Sequence, residues 1–200
     1  MPDDRLALAL AVTLRHDGNG GVADDLATPD GLTAWVRELA EPLRDVLDAQ
    51  DFTADEAALD AVRALRAAVR ALFARAVRPG PPSSADAHRL LPEDLAVERL
   101  NAAAARALGA PRLEWPEGGA PLVRTARPPG STDTDRLVAA LARDAIAFLA
   151  GPNRERLRAC PAPRCVRYFV KDHPRQEWCK PSCGNRARVA RHHRRHRALS

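Results

Sequence analysis

All four cysteines of the 200-residue chain fall in its last forty-one residues, at Cys160, Cys165, Cys179 and Cys183, spaced C-x4-C-x13-C-x3-C. Two close pairs of soft ligands separated by a short insert can grip one tetrahedral zinc ion through four thiolates. Disulfides are the competing use of such cysteines, but a reducing compartment favours metal binding, and all four residues fit one site with none left over. A catalytic zinc needs an open coordination position, and four thiolates leave none. The expected ion is therefore one structural Zn2+. A three-cysteine, one-histidine site, with His173 or His192 in place of one sulfur, is the alternative ligand set.

The second resource for chemistry is charge. Residues 151–200 carry 14 Lys and Arg against three acids (Glu155, Asp172, Glu177), whereas residues 1–150 carry 17 against 23. A net charge of +5 thus conceals an acidic body and a strongly basic tail. After Cys183 the chain runs Gly184-Asn185-Arg186-Ala187-Arg188-Val189-Ala190-Arg191-His192-His193-Arg194-Arg195-His196-Arg197. Guanidinium forks match phosphate oxygens bidentately and can read guanine edges in a major groove. Arg186, Arg188, Arg191, Arg194 and Arg195 are the candidate nucleic-acid contacts, with DNA ahead of RNA as partner. The competing reading is a solvated cationic helix that docks on the acidic body. Tyr168, Phe169 and Trp178 could stack on bases, but in so small a module they are better placed as its core.

These groups must be held by the elements around them. Cys160 and Cys165 flank the stiff turn Pro161-Ala162-Pro163-Arg164. Val166–Val170 has strand composition, and Gln176-Glu177-Trp178 is its expected hairpin partner. Cys179 and Cys183 stand four apart, so a helical turn puts both sulfurs on one side. Pro181 suits the first turn of that helix. A module of about forty residues buries too little apolar surface to fold alone, so metal supplies much of its folding energy.

Upstream, alanine dominates the apolar residues and aromatics make up 4% of the chain, which favours packed helices over a sheet sandwich. Helices are expected over residues 5–14, from Thr28-Pro29, from Pro42 to Ala49, over 54–77 behind a Thr53/Glu56 capping box, from Pro92 with a stop at Gly109, and from a Thr132/Asp135 capping box to Ala150. The buried stripe of the longest is Leu59, Val62, Leu65, Val69, Leu72 and Phe73; that of the last is Leu137, Leu141, Ile146 and Leu149. Residues 111–127 read as one β-hairpin. The fold class is mainly α: an N-terminal helical domain, 1–150, with one small β-hairpin, and a C-terminal module, 151–200, with a zinc-bound β-hairpin and basic helix. No apolar run approaches the ~20 residues of a membrane span. The opening Met1-Pro2-Asp3-Asp4 lacks a signal peptide's basic flank, so a cytoplasmic location is expected. His16 and His88 stand alone with no nucleophile motif around them, so no enzymatic activity is expected.

The run Trp178-Cys179-Lys180-Pro181-Ser182-Cys183-Gly184-Asn185-Arg186 resembles the CGNR zinc finger family, named for the residues that stand here as Cys183-Gly184-Asn185-Arg186. Asp24-Asp25-Leu26-Ala27-Thr28-Pro29-Asp30-Gly31-Leu32-Thr33-Ala34-Trp35-Val36 resembles the start of the ABATE domain that precedes it in that family. The resemblance implies a bacterial, stress-induced transcription regulator with Cys160, Cys165, Cys179 and Cys183 as zinc ligands. The chain departs from the family at Val12-Thr13, where an Asn-Thr pair is common. Within the motif, Gly184 is expected to let the backbone pass close to the metal knuckle. Asn185 would bond a thiolate or cap the turn, and Arg186 would pair with a carboxylate of the body or meet phosphate. Two function classes follow: a DNA-binding regulator, or a protein-interaction adaptor whose zinc is purely structural. A homodimer and a ligand for the N-terminal domain remain open. So does a redox switch in which oxidised thiolates release zinc.

Overall fold

The computed structural model describes residues 5–18, 21–86, 89–109, 111–125 and 130–197. His88 and the first four residues, on which two of the expectations rest, lie outside them. In chain order the elements are α1 (Arg5–Ala11), β1 (Leu14–His16), β2 (Val22–Asp24), α2 (Pro29–Glu38), α3 (Ala40–Leu43), α4 (Glu56–Ala76), α5 (Glu93–Ala105), β3 (Pro111–Glu114), β4 (Leu122–Thr125), α6 (Asp133–Ala150), α7 (Asn153–Arg156), β5 (Leu157–Ala159), β6 (Tyr168–Val170) and α8 (Pro181–Arg197). The chain is mainly α, with small antiparallel hairpins, a cysteine cluster and a final basic helix. No helix among the described residues is long and apolar enough to cross a membrane.

Local chemistry explains most boundaries. Thr28 caps α2 by accepting from the Gly31 N–H, with Pro29 at the first helical position. Thr132 and Asp135 form a reciprocal capping box at the start of α6. At α4 the cap is Asp55, which accepts from the Ala58 N–H. The expected Thr53/Glu56 box is not used, because Asp55 sits one residue before the helix and supplies the carboxylate itself. Pro42 lies inside the short α3 rather than opening a helix to Ala49. α1 stops at Ala11, since Leu14–His16 pairs antiparallel with Val22–Asp24 around the Asp17–Gly21 turn. The N-terminal part therefore holds two hairpins, the second formed by β3 and β4 as expected.

α4 is the axis of the body. Leu59, Val62, Leu65, Val69, Leu72 and Phe73 are buried along it, and α1, α2, α5 and α6 pack around it. Leu137 and Leu141 of α6 are fully buried, but Ile146 is 36% exposed, so the inward face of that helix runs through Ala142, Ala145 and Phe148 instead. One apolar cluster continues past Gly151 to take in Leu157 and Tyr168. Phe73 meets Phe148 at 5.0 Å and the Tyr168 ring edge-on at 5.6 Å between centroids.

Two arginines also face inward from α4. Arg66 forks onto Asp24 at 2.5 and 2.7 Å and donates to the Thr13 hydroxyl at 2.8 Å. Thr13 is buried and donates in turn to the Leu10 carbonyl. Burial pushes the Asp24 carboxyl up, but the Arg66 fork, with the Leu26 N–H and Arg63, outweighs this and holds it below the usual carboxylate range. The Asn-to-Val departure at Val12 leaves this threonine link intact.

Candidate metal centre and the basic helix

Each cysteine is presented by a different piece of backbone. Cys160 directly follows β5, and its N–H donates to the Arg167 carbonyl at 2.9 Å, extending the hairpin ladder. Cys165 closes the Pro161–Arg164 turn by donating to the Ala162 carbonyl at 3.0 Å, with Arg164 in the left-handed region at φ 64°. Cys179 lies two residues before α8, and Cys183 lies in its first turn with its N–H on the Lys180 carbonyl. The strand that pairs with β6 is β5, with Arg158 opposite Phe169. The expected partner, Gln176–Trp178, forms no strand. Gln176 instead accepts from the Asp172 N–H and donates to the Trp178 carbonyl, closing the turn between β6 and Cys179.

The four sulfurs lie within 4.8 Å of one another. Cys165–Cys179, Cys179–Cys183 and Cys165–Cys183 are 3.7, 3.5 and 3.8 Å apart. A tetrahedral ion bound at about 2.3 Å from each sulfur requires edges near 3.8 Å, whereas a disulfide requires about 2.05 Å. The set therefore fits one zinc ion and contains no disulfide. His173 and His192 are exposed and do not join the cluster, so among the described residues the donor set is four cysteines.

Without a cation these sulfurs share protons awkwardly. The Cys165 and Cys179 thiols donate to Cys160, which holds Cys160 far below the usual thiol range. Cys165 is pushed up to about 11 by its bond to Cys160 and by burial, and Cys179 is driven higher still by the same neighbours. Four crowded thiolates repel one another, and a divalent ion removes that penalty.

The neighbours of the cluster settle the motif's separate tasks. Phe169, Ala162 and Trp178 pack against the cysteines. Tyr168 faces the other way, into the body, so all three aromatic residues serve packing. Gly184 does not admit the backbone to the metal. It lies within α8, where an added Cβ would stand 3.0 Å from Cδ1 and 3.3 Å from Nε1 of Trp178. Its missing side chain makes room for that indole. Asn185 bonds neither a thiolate nor a turn; it is exposed and accepts from Arg188 one helical turn on. Arg186 meets no carboxylate of the body and instead donates through Nη2 to Cys183 Sγ at 3.2 Å.

Beyond its first turn, α8 leaves the fold. Cys183 and Ala187, four apart, are its buried edge, while Arg188, Val189, Arg191, His192, His193 and Arg195 are exposed. Arg188, Arg191 and Arg195, spaced i, i+3 and i+7, share one face. The Arg194 side chain lies outside the described residues. No described ion pair joins an α8 arginine to an acid of the body.

A second buried network fastens the module to the body. Arg70 donates to Asp86 at 2.8 and 3.0 Å, to the Ser83 hydroxyl, to the Val166 carbonyl at 3.2 Å, and to the Ala11 carbonyl. Ser83 Oγ donates to the Val166 carbonyl at 2.8 Å, and Ser84 Oγ to the carbonyl of the ligand Cys165 at 3.2 Å. The Tyr168 hydroxyl donates to Asp86 at 2.7 Å, and the Arg70 guanidinium lies 5.1 Å from the centre of its ring. Of this network, Arg70 and Asp86 were not singled out from the sequence. A signal existed for Arg66, which falls on the helical arc between Phe73 and Leu59 and so interrupts the buried stripe, whereas Arg70 lies at the edge of that arc.

Residues 4–152 match the family model named ABATE, described as "Putative stress-induced transcription regulator". Residues 156–196 match the CGNR zinc finger. No curated protein matches the chain.

Proposed function

The chain belongs to the ABATE family and carries a CGNR zinc finger, and from that premise we propose that it is a DNA-binding transcriptional regulator whose contact element is α8. The observation that carries this reading is the exposed face of Arg188, Arg191 and Arg195 on a helix whose opposite edge is anchored at Cys183 and Ala187. The metal's task is to fix the direction in which the helix leaves the fold. Arg194 joins that face by position, and Arg186, bound to a thiolate, orients the first turn. The chain is read as non-catalytic, since four thiolates leave zinc no open position. Duplex DNA titrated at several salt concentrations tests the reading. Binding should weaken steeply with salt and be lost when Arg188, Arg191 and Arg194 are replaced together by Gln. Undiminished binding by that variant would remove α8 from the mechanism.

A protein-interaction adaptor is the second reading. It is favoured by the β3–β4 hairpin, where Leu113, Trp115 and Val123 are 62%, 69% and 70% exposed. Replacing Trp115 and Val123 by Ser should then abolish partner or self-association and leave DNA affinity unchanged.

A further inference from the structure

Between the β1–β2 hairpin and the cysteine module lies a recess of about 510 Å³. Its wall draws on Arg15 and His16 from the hairpin and on Arg167, Lys180, Ser182 and Arg186 from the module. Four permanent cations thus converge from two parts of the chain that are about 150 residues apart in sequence. Arg15 is offset by Asp25 at 2.5 Å, and Asp17 lies on the rim. No described carboxylate pairs with Arg167, Lys180 or Arg186.

The donors of this wall are not all used. His16 Nδ1 accepts from the Gly18 N–H at 2.7 Å. In the neutral ring that fixes the proton on Nε2, which makes Nε2 a donor. His16 Nε2 and Arg186 Nε are both buried and have no hydrogen-bond partner among the described residues. Both residues line the recess, and a buried donor left unbonded is costly, so an acceptor brought within reach by a small shift of either side chain would relieve that cost. The recess also adjoins the first turn of α8, whose exposed end of the helix dipole favours an anion. Ser182 adds a hydroxyl.

We infer that this recess is an oxyanion site that takes a phosphate group and spans the N-terminal hairpin and the zinc module. Several convergent guanidinium and ammonium groups, with N–H and O–H donors between them, match the charge and the oxygens of a phosphate better than a lone carboxylate. Because Arg186 also bonds the Cys183 sulfur, an anion here touches the same residue that orients α8. The phosphate could belong to a small phosphorylated ligand or to the backbone of a bound strand. The competing account is that these cations only offset the negative charge of the tetrathiolate centre.

The test uses the full-length, zinc-loaded protein and does not depend on the DNA reading. Inorganic phosphate is titrated at constant ionic strength against chloride, followed by calorimetry and by Trp178 fluorescence. Saturable phosphate binding, weakened about tenfold or more by Arg167→Gln with zinc content unchanged, and unaffected by Arg188→Gln with Arg191→Gln, supports a free phosphate ligand. No saturation with inorganic phosphate, but a similar loss of duplex affinity and a lower salt slope in Arg167→Gln, assigns the site to a strand phosphate. If neither phosphate nor duplex binding responds to Arg167→Gln while zinc is retained, the inference is overturned and the cations serve the thiolates alone. Binding that responds only to Arg188→Gln and Arg191→Gln overturns it equally.

Discussion

The Tyr168 hydroxyl donates to Asp86 Oδ2 at 2.7 Å, and through that bond a strand of the zinc module is locked to the Arg70 side of the long helix α4. Burial, then the Asp86 carboxylate, holds the phenol protonated well above its usual range, so it keeps the proton it donates to Asp86 while its oxygen accepts from the Ser83 N–H at 3.2 Å. The metal module is thereby oriented by the body, not merely tethered to it.

Removing Arg70 should be severely destabilising. Arg70 and Asp86 are 3% and 8% exposed, and Arg70→Met would leave the carboxylate buried with the Tyr168 hydroxyl as its described side-chain donor. The expected cost is about 3–5 kcal/mol in urea denaturation. Tyr168→Phe keeps the packing but loses the bond to the charged Asp86 and the bond accepted from the Ser83 N–H, so a cost of at least about 1.5–3 kcal/mol is expected. A cost for Arg70→Met no larger than that of an exposed arginine such as Arg44 would contradict the role assigned to the network.

Loss of one ligand should unfold the C-terminal module while leaving the helical body folded. In Cys179→Ser, bound zinc measured by mass spectrometry should fall well below one per chain. Fluorescence of Trp178, which packs on the cysteine cluster, should change with it. Chelation of the wild-type protein should reproduce both effects, and added zinc should reverse them. A variant that keeps one zinc per chain would mean that three sulfurs suffice.

Gly184→Val should loosen the module even though valine is the better helix former. Its Cβ would press within 3.0 Å of Trp178, a residue fixed by the adjacent ligand Cys179. Overpacking of this kind costs about 1–3 kcal/mol, against a gain of a few tenths from propensity. Weaker zinc retention in a chelator competition is the measurement, and unchanged retention would show that the indole can move aside.

The Asp24–Arg66 pair makes stability fall in acid. Asp24 has a folded-state pKa below its unfolded value of 3.8, so its contribution is fully present above that value and is lost as pH falls through the folded one. Asp24→Asn should lower the urea midpoint near neutrality, and the gap to the wild-type protein should close below about pH 4. A gap that stays constant down to pH 2 would show that charge on Asp24 is not what stabilises the link.

For the arginine helix, replacing Arg188, Arg191 and Arg194 by Gln should reduce the slope of log affinity against log salt by up to roughly 2–3, about 0.9 for each phosphate that is no longer neutralised. A slope that does not change would mean that other cations neutralise the phosphates.

Much of the site could be read from the chain because its signals are local. Cysteine spacing, a proline at a helix start and a run of arginines after Cys183 depend only on near neighbours, as does the Thr132/Asp135 capping box. Misreadings occurred where two local options competed. Asp55 and Thr53 both offer a cap to α4. Gln176–Trp178 and Leu157–Ala159 both lie within reach of β6, and a backbone ladder does not record its partner in the strand's own residues. Gly184 has a helical position and no side chain, which suits several tasks, and only the location of Trp178 decides among them.

By itself, the sequence determined a mainly helical chain ending in a four-cysteine metal module and a cationic helix, since these follow from residue type at fixed spacing. Tertiary structure alone decided how the parts are joined. Arg70 meets Asp86, Tyr168 and Val166, the last across 96 residues, and Arg15 and His16 share a recess with Arg167 and Arg186. The physical reason is that a buried charge or an unused donor is defined by what closes around it, and those neighbours come from distant segments brought together by the apolar core.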